Sequence, residues 1–159
     1  MGRHTRYRLS RHPGCVRCIT EIEQLGRLFT RLRVSCSRPV GTQKRVLVVD
    51  DDASIRELLS TALEDDGYEV VPAINGADAL SVCERWRPDV IVLDLMMPVM
   101  DGWTFAKRLR ERDEIPIVVL SAANDLARHA KTIGAADVVG KPFDLDQLLP
   151  KVARAAEGV

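Results

Sequence analysis

The chain has 159 residues, 46% apolar and 29% charged, with 23 basic side chains balancing 23 acidic ones. That length suits one ordinary domain with a real core plus a tail, and no run approaches the ~18–20 apolar residues of a membrane helix, so no membrane insertion is expected. The zero net charge conceals a split. Residues 1–43 hold nine Arg, no Lys and two Glu, while residues 44–159 hold 14 Lys and Arg against 21 Asp and Glu. The asymmetry marks a basic, mostly irregular N-terminal extension over 1–43, and a separate domain over 44–159.

In the extension, no apolar stretch follows the basic start, which argues against a secretion signal, and the Arg-rich, acid-free opening is only a weak match to a mitochondrial transit peptide. Cys15-Val16-Arg17-Cys18, with His12 before and Cys36 after, lacks the second close pair of ligands that structural zinc takes. The arginines could attract nucleic acid, yet no aromatic interleaving or recognition motif accompanies them. The expectation is a mobile extension without a folded role, translated from a start upstream of a native one at Val34 or Val40. Four cysteines without a disulfide framework point to a reducing cytoplasm.

From residue 44, strand and helix signals alternate five times. Strand one covers about Arg45–Asp50. Asp52-Ala53-Ser54 then caps a helix whose Ile55, Leu58, Leu59, Ala62 and Leu63 follow the period of one buried face, and Gly67 ends it. A short strand at Glu69–Pro72 and a helix over Gly76–Arg85 follow. Strand three is Asp89–Asp94, and Pro98 and Gly102 bracket a loop before a helix around Trp103–Arg110. Strand four is Ile115–Ser121, helix four Leu126–Ile133, strand five Asp137–Gly140 and helix five Leu145–Ala156. Pro150 should kink that last helix or delay its start. Apolar runs without alternation, joined by helices, predict an α/β fold: a doubly wound parallel sheet covered on both faces.

Ligands meet such a sheet at the carboxyl ends of its strands. Those ends carry Asp50, Asp51 and Asp52, then Asp94, Ser121 and Lys141. Carboxylates crowded on one rim raise each other's pKa unless a cation neutralises them, and Mg²⁺ suits oxygen ligands while keeping waters for a substrate to replace. A cis bond before Pro142 costs little and would aim Lys141 inward. Carboxylate, Mg²⁺, Lys and hydroxyl together are the parts of phosphoryl transfer. Without a Ser/His or Cys/His pair, the nucleophile must be a carboxylate.

Lys44-Arg45-Val46-Leu47-Val48-Val49-Asp50-Asp51-Asp52, Asp89 through Gly102, Val119-Leu120-Ser121-Ala122 and Gly140-Lys141-Pro142-Phe143 resemble, in order and spacing, the receiver domain of two-component response regulators. The resemblance covers about residues 44–157 and implies a flavodoxin-like (βα)5 fold with strand order 2-1-3-4-5. It makes Asp94 the phosphoacceptor, and Asp50 and Asp51 the acidic pair holding Mg²⁺, with the Met96 backbone carbonyl as a further ligand. Ser121 becomes the switch hydroxyl and Lys141 the phosphoryl-binding lysine; Asp52 reads as a helix cap.

The implied function is a phosphorylation-controlled signalling switch. It is charged by a sensor histidine kinase or a histidine phosphotransfer protein, and acts through protein contacts on an unknown downstream partner, with homodimerisation on phosphorylation as an option. Such a switch is no enzyme beyond catalysing its own phosphorylation and dephosphorylation. The chain stops at Val159, just after helix five, so a stand-alone receiver is expected.

Three departures from the family pattern stand out. Val138 occupies the switch aromatic's position, the stretch from Ser121 to Lys141 is about two residues short, and Met96 and Ala123 replace polar residues that orient water. A shortened helix four and a slowly decaying aspartyl phosphate are expected. Two alternatives compete. One is a haloacid-dehalogenase-like phosphatase using Asp50 in Asp50-Asp51-Asp52-Ala53-Ser54, for which the cap insertion and a later acidic pair are missing. The other is a receiver-regulated nucleic-acid binder acting through the Arg-rich tail.

Overall fold

The computed structural model describes residues 43–122 and 126–158. Ten elements alternate: β1 (Arg45–Val49), α1 (Ala53–Asp65), β2 (Glu69–Ala73), α2 (Gly76–Arg85), β3 (Val90–Asp94), α3 (Gly102–Arg110), β4 (Ile117–Ser121), α4 (Leu126–Ile133), β5 (Asp137–Gly140) and α5 (Leu145–Glu157). The strands form one parallel sheet in the order β2-β1-β3-β4-β5, the expected flavodoxin-like arrangement. The extension, with its cysteines, His4 and His12, and also Ala123, lie outside the described residues.

The central strands are apolar up to their carboxyl-terminal residues because both faces are covered. Leu47, Val49, Ile91, Leu93, Ile117 and Val119 point one way, into a core with Ala79 and Val82 of α2, Phe105 and Leu109 of α3 and Ile133 of α4. Val46, Val48, Val90, Val92, Val118 and Leu120 alternate with them and meet Leu59 and Leu63 of α1 and Leu148 and Val152 of α5. Alternation of Cβ direction along a strand thus fills two cores from one run of branched residues.

Local chemistry sets the helix ends. Asp52 caps α1, its Oδ1 accepting the N–H groups of Ser54 at 2.8 Å and Ile55 at 3.3 Å. Gly67, at φ 92°, closes the same helix: its N–H donates to the Glu64 carbonyl and the Tyr68 N–H to that of Leu63, a Schellman closure with Tyr68 and Leu63 in one core. Asn75 and Asp101 cap α2 and α3 in the manner of Asp52.

The structure corrects several expectations. Leu58 is not on the buried face of α1 but 50% exposed, because Leu59 and Leu63 already cover the sheet there. β3 starts one residue late, since the Asp89 side chain turns aside to accept the Arg45 N–H at 2.8 Å. β4 starts at Ile117, after Pro116, which has no N–H to give the ladder. Pro150 does not delay α5, which begins at Leu145 and runs through it. Helix four, at eight residues, is the shortest helix among the described residues.

Candidate functional site

The register of the sheet brings the polar strand ends level. Val49 pairs with Leu93, Asp94 with Leu120 and Ser121 with Gly140, so Asp50, Asp94, Ser121 and Lys141 all arrive at one rim. The Lys141 backbone N–H donates to the Ser121 carbonyl at 2.8 Å and locks β5 to β4 at that level. Among the described residues, Asp50, Asp94 and Ser121 are the buried polar side chains, at 0%, 4% and 1% exposure. A core this dry retains such groups only where they are paired or used.

Lys141 is the pairing group. The peptide to Pro142 is cis. Its Nζ lies 2.7 Å from Asp50 Oδ2 and 3.2 Å from Asp94 Oδ2, one ammonium bridging two carboxylates. Asp50 Oδ1 accepts the Asp52 N–H at 2.9 Å. Asp51 is exposed, and a carboxylate oxygen of Asp51 lies within 4.8 Å of oxygens from Asp50 and Asp94. Three carboxylates against one ammonium leave the rim negative.

Proton affinities follow that imbalance. Burial pushes the Asp94 carboxyl above its ordinary value; the Lys141 charge opposes the push and the Asp50 charge adds to it. Burial alone would lower the Lys141 ammonium, but its hydrogen bond to Asp50 and the charges of Asp50 and Asp94 outweigh this and raise it. Lys141 therefore stays cationic, while at Asp94 burial and Asp50 work against the ionised form and Lys141 works for it.

The donor set fits Mg²⁺. All three side chains offer hard oxygen atoms, the Lys141 ammonium leaves the negative excess uncancelled, and exposed Asp51 keeps one side open for retained waters. Asp50, Asp51 and Asp94 would hold such an ion, which would supply charge neutralisation for a transferring phosphoryl group.

The remaining expected residues are placed as follows. Met96 follows Asp94 by two positions; its side chain is 68% exposed and its backbone N–H supports the Asp94 carboxylate. Asp52 serves α1 as a cap rather than joining the acidic group. Val138 packs partly buried against the core shared with α3 and α4.

Two roles at the site escaped the sequence reading. Arg56 reaches back from α1, its Nη1 donating to the Asp50 carbonyl at 2.7 Å. Gly102 lets α3 start against the site: a Cβ there would stand 2.5 Å from the Asp94 carbonyl oxygen. Arg56 could have been suspected from its place one turn beyond the Asp52 cap; Gly102 offered no signal beyond being a loop glycine.

Residues 46–153 match the response regulator receiver domain. This chain belongs to that family. A relative in Cyanophora paradoxa, named probable transcriptional regulator ycf27, is 42% identical over 112 residues, 69% of this chain and 47% of that protein. Response regulator MprA of Mycobacterium leprae is 41% identical over 111 residues, covering 68% of this chain and 49% of the relative. The chain thus spans about half the length of the curated relatives it matches. Among solved structures, the chemotaxis response regulator CheY4 of Vibrio cholerae aligns at a TM-score of 0.67 with 38% identity, over 72% of this chain and 99% of that one. The Francisella response regulator 1452 receiver domain aligns at 0.68 with 33% identity, over 73% and 98%. Membership in the receiver family displaces the phosphatase reading, as does the use of Asp52, the second acid of that motif, as a cap.

Proposed function

We propose that this receiver is switched by transfer of a phosphoryl group to Asp94 from a phosphohistidine on a sensor kinase or a phosphotransfer protein. The observation that carries the reading is Asp94 itself. It is a nearly buried carboxylate whose ionised form Lys141 sustains at 3.2 Å, next to two further carboxylates able to share a Mg²⁺.

In this reading an Asp94 oxygen attacks phosphorus in line while the donor imidazole leaves, and the phosphoryl charge is met by Lys141. Asp50 holds Lys141 within reach and, with Asp51 and the Met96 carbonyl, presents oxygen to the metal. The Ser121 hydroxyl binds the phosphoryl group afterwards. The added charge of about −1.5 to −2 engages Ser121 at the end of β4 and changes the surface a partner meets. With Val138 in place of an aromatic ring, the output rests on Ser121 and α4. The chain acts in the cytoplasm through protein contacts rather than as an enzyme on an external substrate. Among the described residues no helix is long and apolar enough to cross a membrane. The relatives' names put transcription among the processes such receivers govern, and a DNA-directed output is the second reading they favour.

The test is intact mass after incubation with acetyl phosphate and Mg²⁺. One phosphoryl group gained by wild type and lost in Asp94→Ala supports the reading. A gain that survives Asp94→Ala and vanishes in Asp50→Ala would overturn it. Exposed, apolar Met96 cannot orient an attacking water, so the aspartyl phosphate is expected to decay slowly. A half-life unchanged in Met96→Asn combined with Ala123→Glu would refute that expectation.

A further inference from the structure

Asp51 is the weak point of the acidic group. Asp50 is gripped from all sides: its N–H reaches the Ala73 carbonyl at 3.3 Å, Oδ1 accepts Asp52, and Oδ2 accepts Lys141. Asp94 has Lys141 and the Met96 amide. The Asp51 carboxylate is exposed and has no hydrogen-bond or ion-pair partner among the described residues. Its direction is set only by the backbone that carries it.

That backbone is held by one side chain. The carbonyl oxygen of Asp50 belongs to the peptide joining Asp50 to Asp51, so turning that peptide plane turns Asp51. Arg56, half-buried on the first turns of α1, donates Nη1 to this oxygen at 2.7 Å. No carboxylate lies in ion-pair range of the Arg56 guanidinium among the described residues; this carbonyl is its hydrogen-bond partner. A guanidinium placed beside an acidic cluster and bonded to a neutral carbonyl within it acts on orientation rather than as a counter-ion. α1 is in turn anchored by Asp52, so cap, helix and arginine form a closed loop around residues 50–52.

We propose that Arg56 is a positioning residue for the metal site: it fixes the Asp50–Asp51 peptide and thereby aims Asp51 at the ion. The inference rests on the Mg²⁺ reading of the acidic group and adds a residue to it. The sign of the effect separates it from plain electrostatics. A positive charge near a cation site weakens metal binding, so an arginine acting only through its charge would, on removal, leave Mg²⁺ bound more tightly. An arginine acting by orientation would, on removal, leave it bound more weakly. Losing an outer-shell partner of a metal ligand typically weakens affinity about 10–100-fold, and the lower end is expected for a half-exposed contact.

The experiment is calorimetric titration of the full chain with Mg²⁺, alongside the Mg²⁺-induced rise in Tm, for wild type, Arg56→Ala and Arg56→Lys. Arg56→Ala should bind about 10-fold more weakly with a smaller Tm rise, and Arg56→Lys, able to donate to the same carbonyl, should recover part of the loss. Equal or tighter binding by Arg56→Ala overturns the proposal while leaving the metal site intact. Arg56→Lys binding no better than Arg56→Ala also overturns it, because the hydrogen bond would then not be the cause. A wild type that takes up no Mg²⁺ overturns both the metal reading and this one.

Discussion

Two clusters of charge sit on this receiver, and they are built in opposite ways. On the rim, Asp50, Asp51 and Asp94 face a single ammonium from Lys141, and two of the three acids are buried. At the other end of β5, a single acid faces two cations: Asp137 accepts Lys151 at 2.8 Å and Arg154 at 3.0 Å, both from α5, together with the Val138 N–H at 2.8 Å. The Asp94 carboxyl is pushed above its ordinary value, chiefly by burial. Asp137 is held below its own: burial would raise it, but the Lys151 and Val138 hydrogen bonds and the two cations prevail. A cluster that fastens a helix to a strand surrounds its acid with countercharge. In the proposed reading the rim must admit a metal and an anion, and an excess of acid with its folding cost suits that role.

Breaking the rim cluster gives the largest effect. Lys141→Met keeps much of the apolar stem but leaves Asp50 and Asp94 buried without a cation, and losing one partner of a buried pair costs about 3–5 kcal/mol. Metal-free stability by urea titration should fall by that order, with Mg²⁺ restoring part of it. A variant as stable as wild type without Mg²⁺ would show that the acids are less dependent on Lys141 than its 2.7 Å and 3.2 Å contacts imply.

Removing the excess acid should act with opposite sign. Asp94→Asn relieves the repulsion with Asp50 and the burial of charge, while Lys141 keeps Asp50. Because the folded state raises the Asp94 pKa, the ionised group detracts from stability, and it does so once pH rises through the raised value. At neutral pH without metal, Asp94→Asn should therefore be more stable by roughly 1 kcal/mol, and the gain should vanish in acid. The same raised pKa sets the acid limb of phosphorylation by acetyl phosphate. That limb should lie above the ordinary aspartate range at limiting Mg²⁺ and move down when Mg²⁺ is saturating.

How far the rim could be read from sequence has a physical reason. In a parallel sheet the chemistry is confined to strand ends, so Asp50, Asp94, Ser121 and Lys141 advertise themselves by interrupting apolar runs. The two cores were equally legible, since both come from one alternation. What sequence spacing could not show is closeness between segments. The i, i+3, i+4 pattern of α1 admits Leu58 to the buried stripe, yet the sheet beneath is already filled. Arg56 acts on a carbonyl, which no residue type signals, and Gly102 is required by a backbone approach that appears only once β3 and α3 meet. The cluster at Asp137 was missed for a similar reason, since Lys151 and Arg154 lie far along the chain on a helix read only for its bounds and its proline.

The Asp137 cluster should respond more weakly, and from the acid side. A depressed pKa means Asp137 contributes stability above the ordinary aspartate range, and that contribution is lost as pH falls through the depressed value. Asp137→Asn should therefore be less stable than wild type at neutral pH and converge with it in acid, the reverse of Asp94→Asn. For a partly exposed pair the difference should be at most ~1 kcal/mol and should shrink with added salt. Parallel pH-stability curves for the two variants would dissolve the contrast between the clusters.

The contrast extends to the backbone, where the smallest effect is expected. Among the described residues away from the rim, those with positive φ are glycines: Gly67, Gly134 and Gly158. In the loop after Asp94 the residue at φ 69° is Val99, centred in a γ-turn closed by the Met100 N–H on the Pro98 carbonyl at 2.8 Å. A β-branched side chain is disfavoured there, and at 86% exposure Val99 gains little packing in return. Val99→Gly removes the clash but adds freedom to the unfolded chain, so a net gain of roughly 0.5–1 kcal/mol is expected. The loop carries Met96 and leads into Gly102, so the more informative readout is phosphorylation rate at saturating Mg²⁺. If strain at Val99 presets this loop around Asp94, Val99→Gly should be more stable yet slower to accept phosphate from acetyl phosphate. A variant that gains stability at no cost in rate would mean that the valine's strain serves some contact other than the acceptor site.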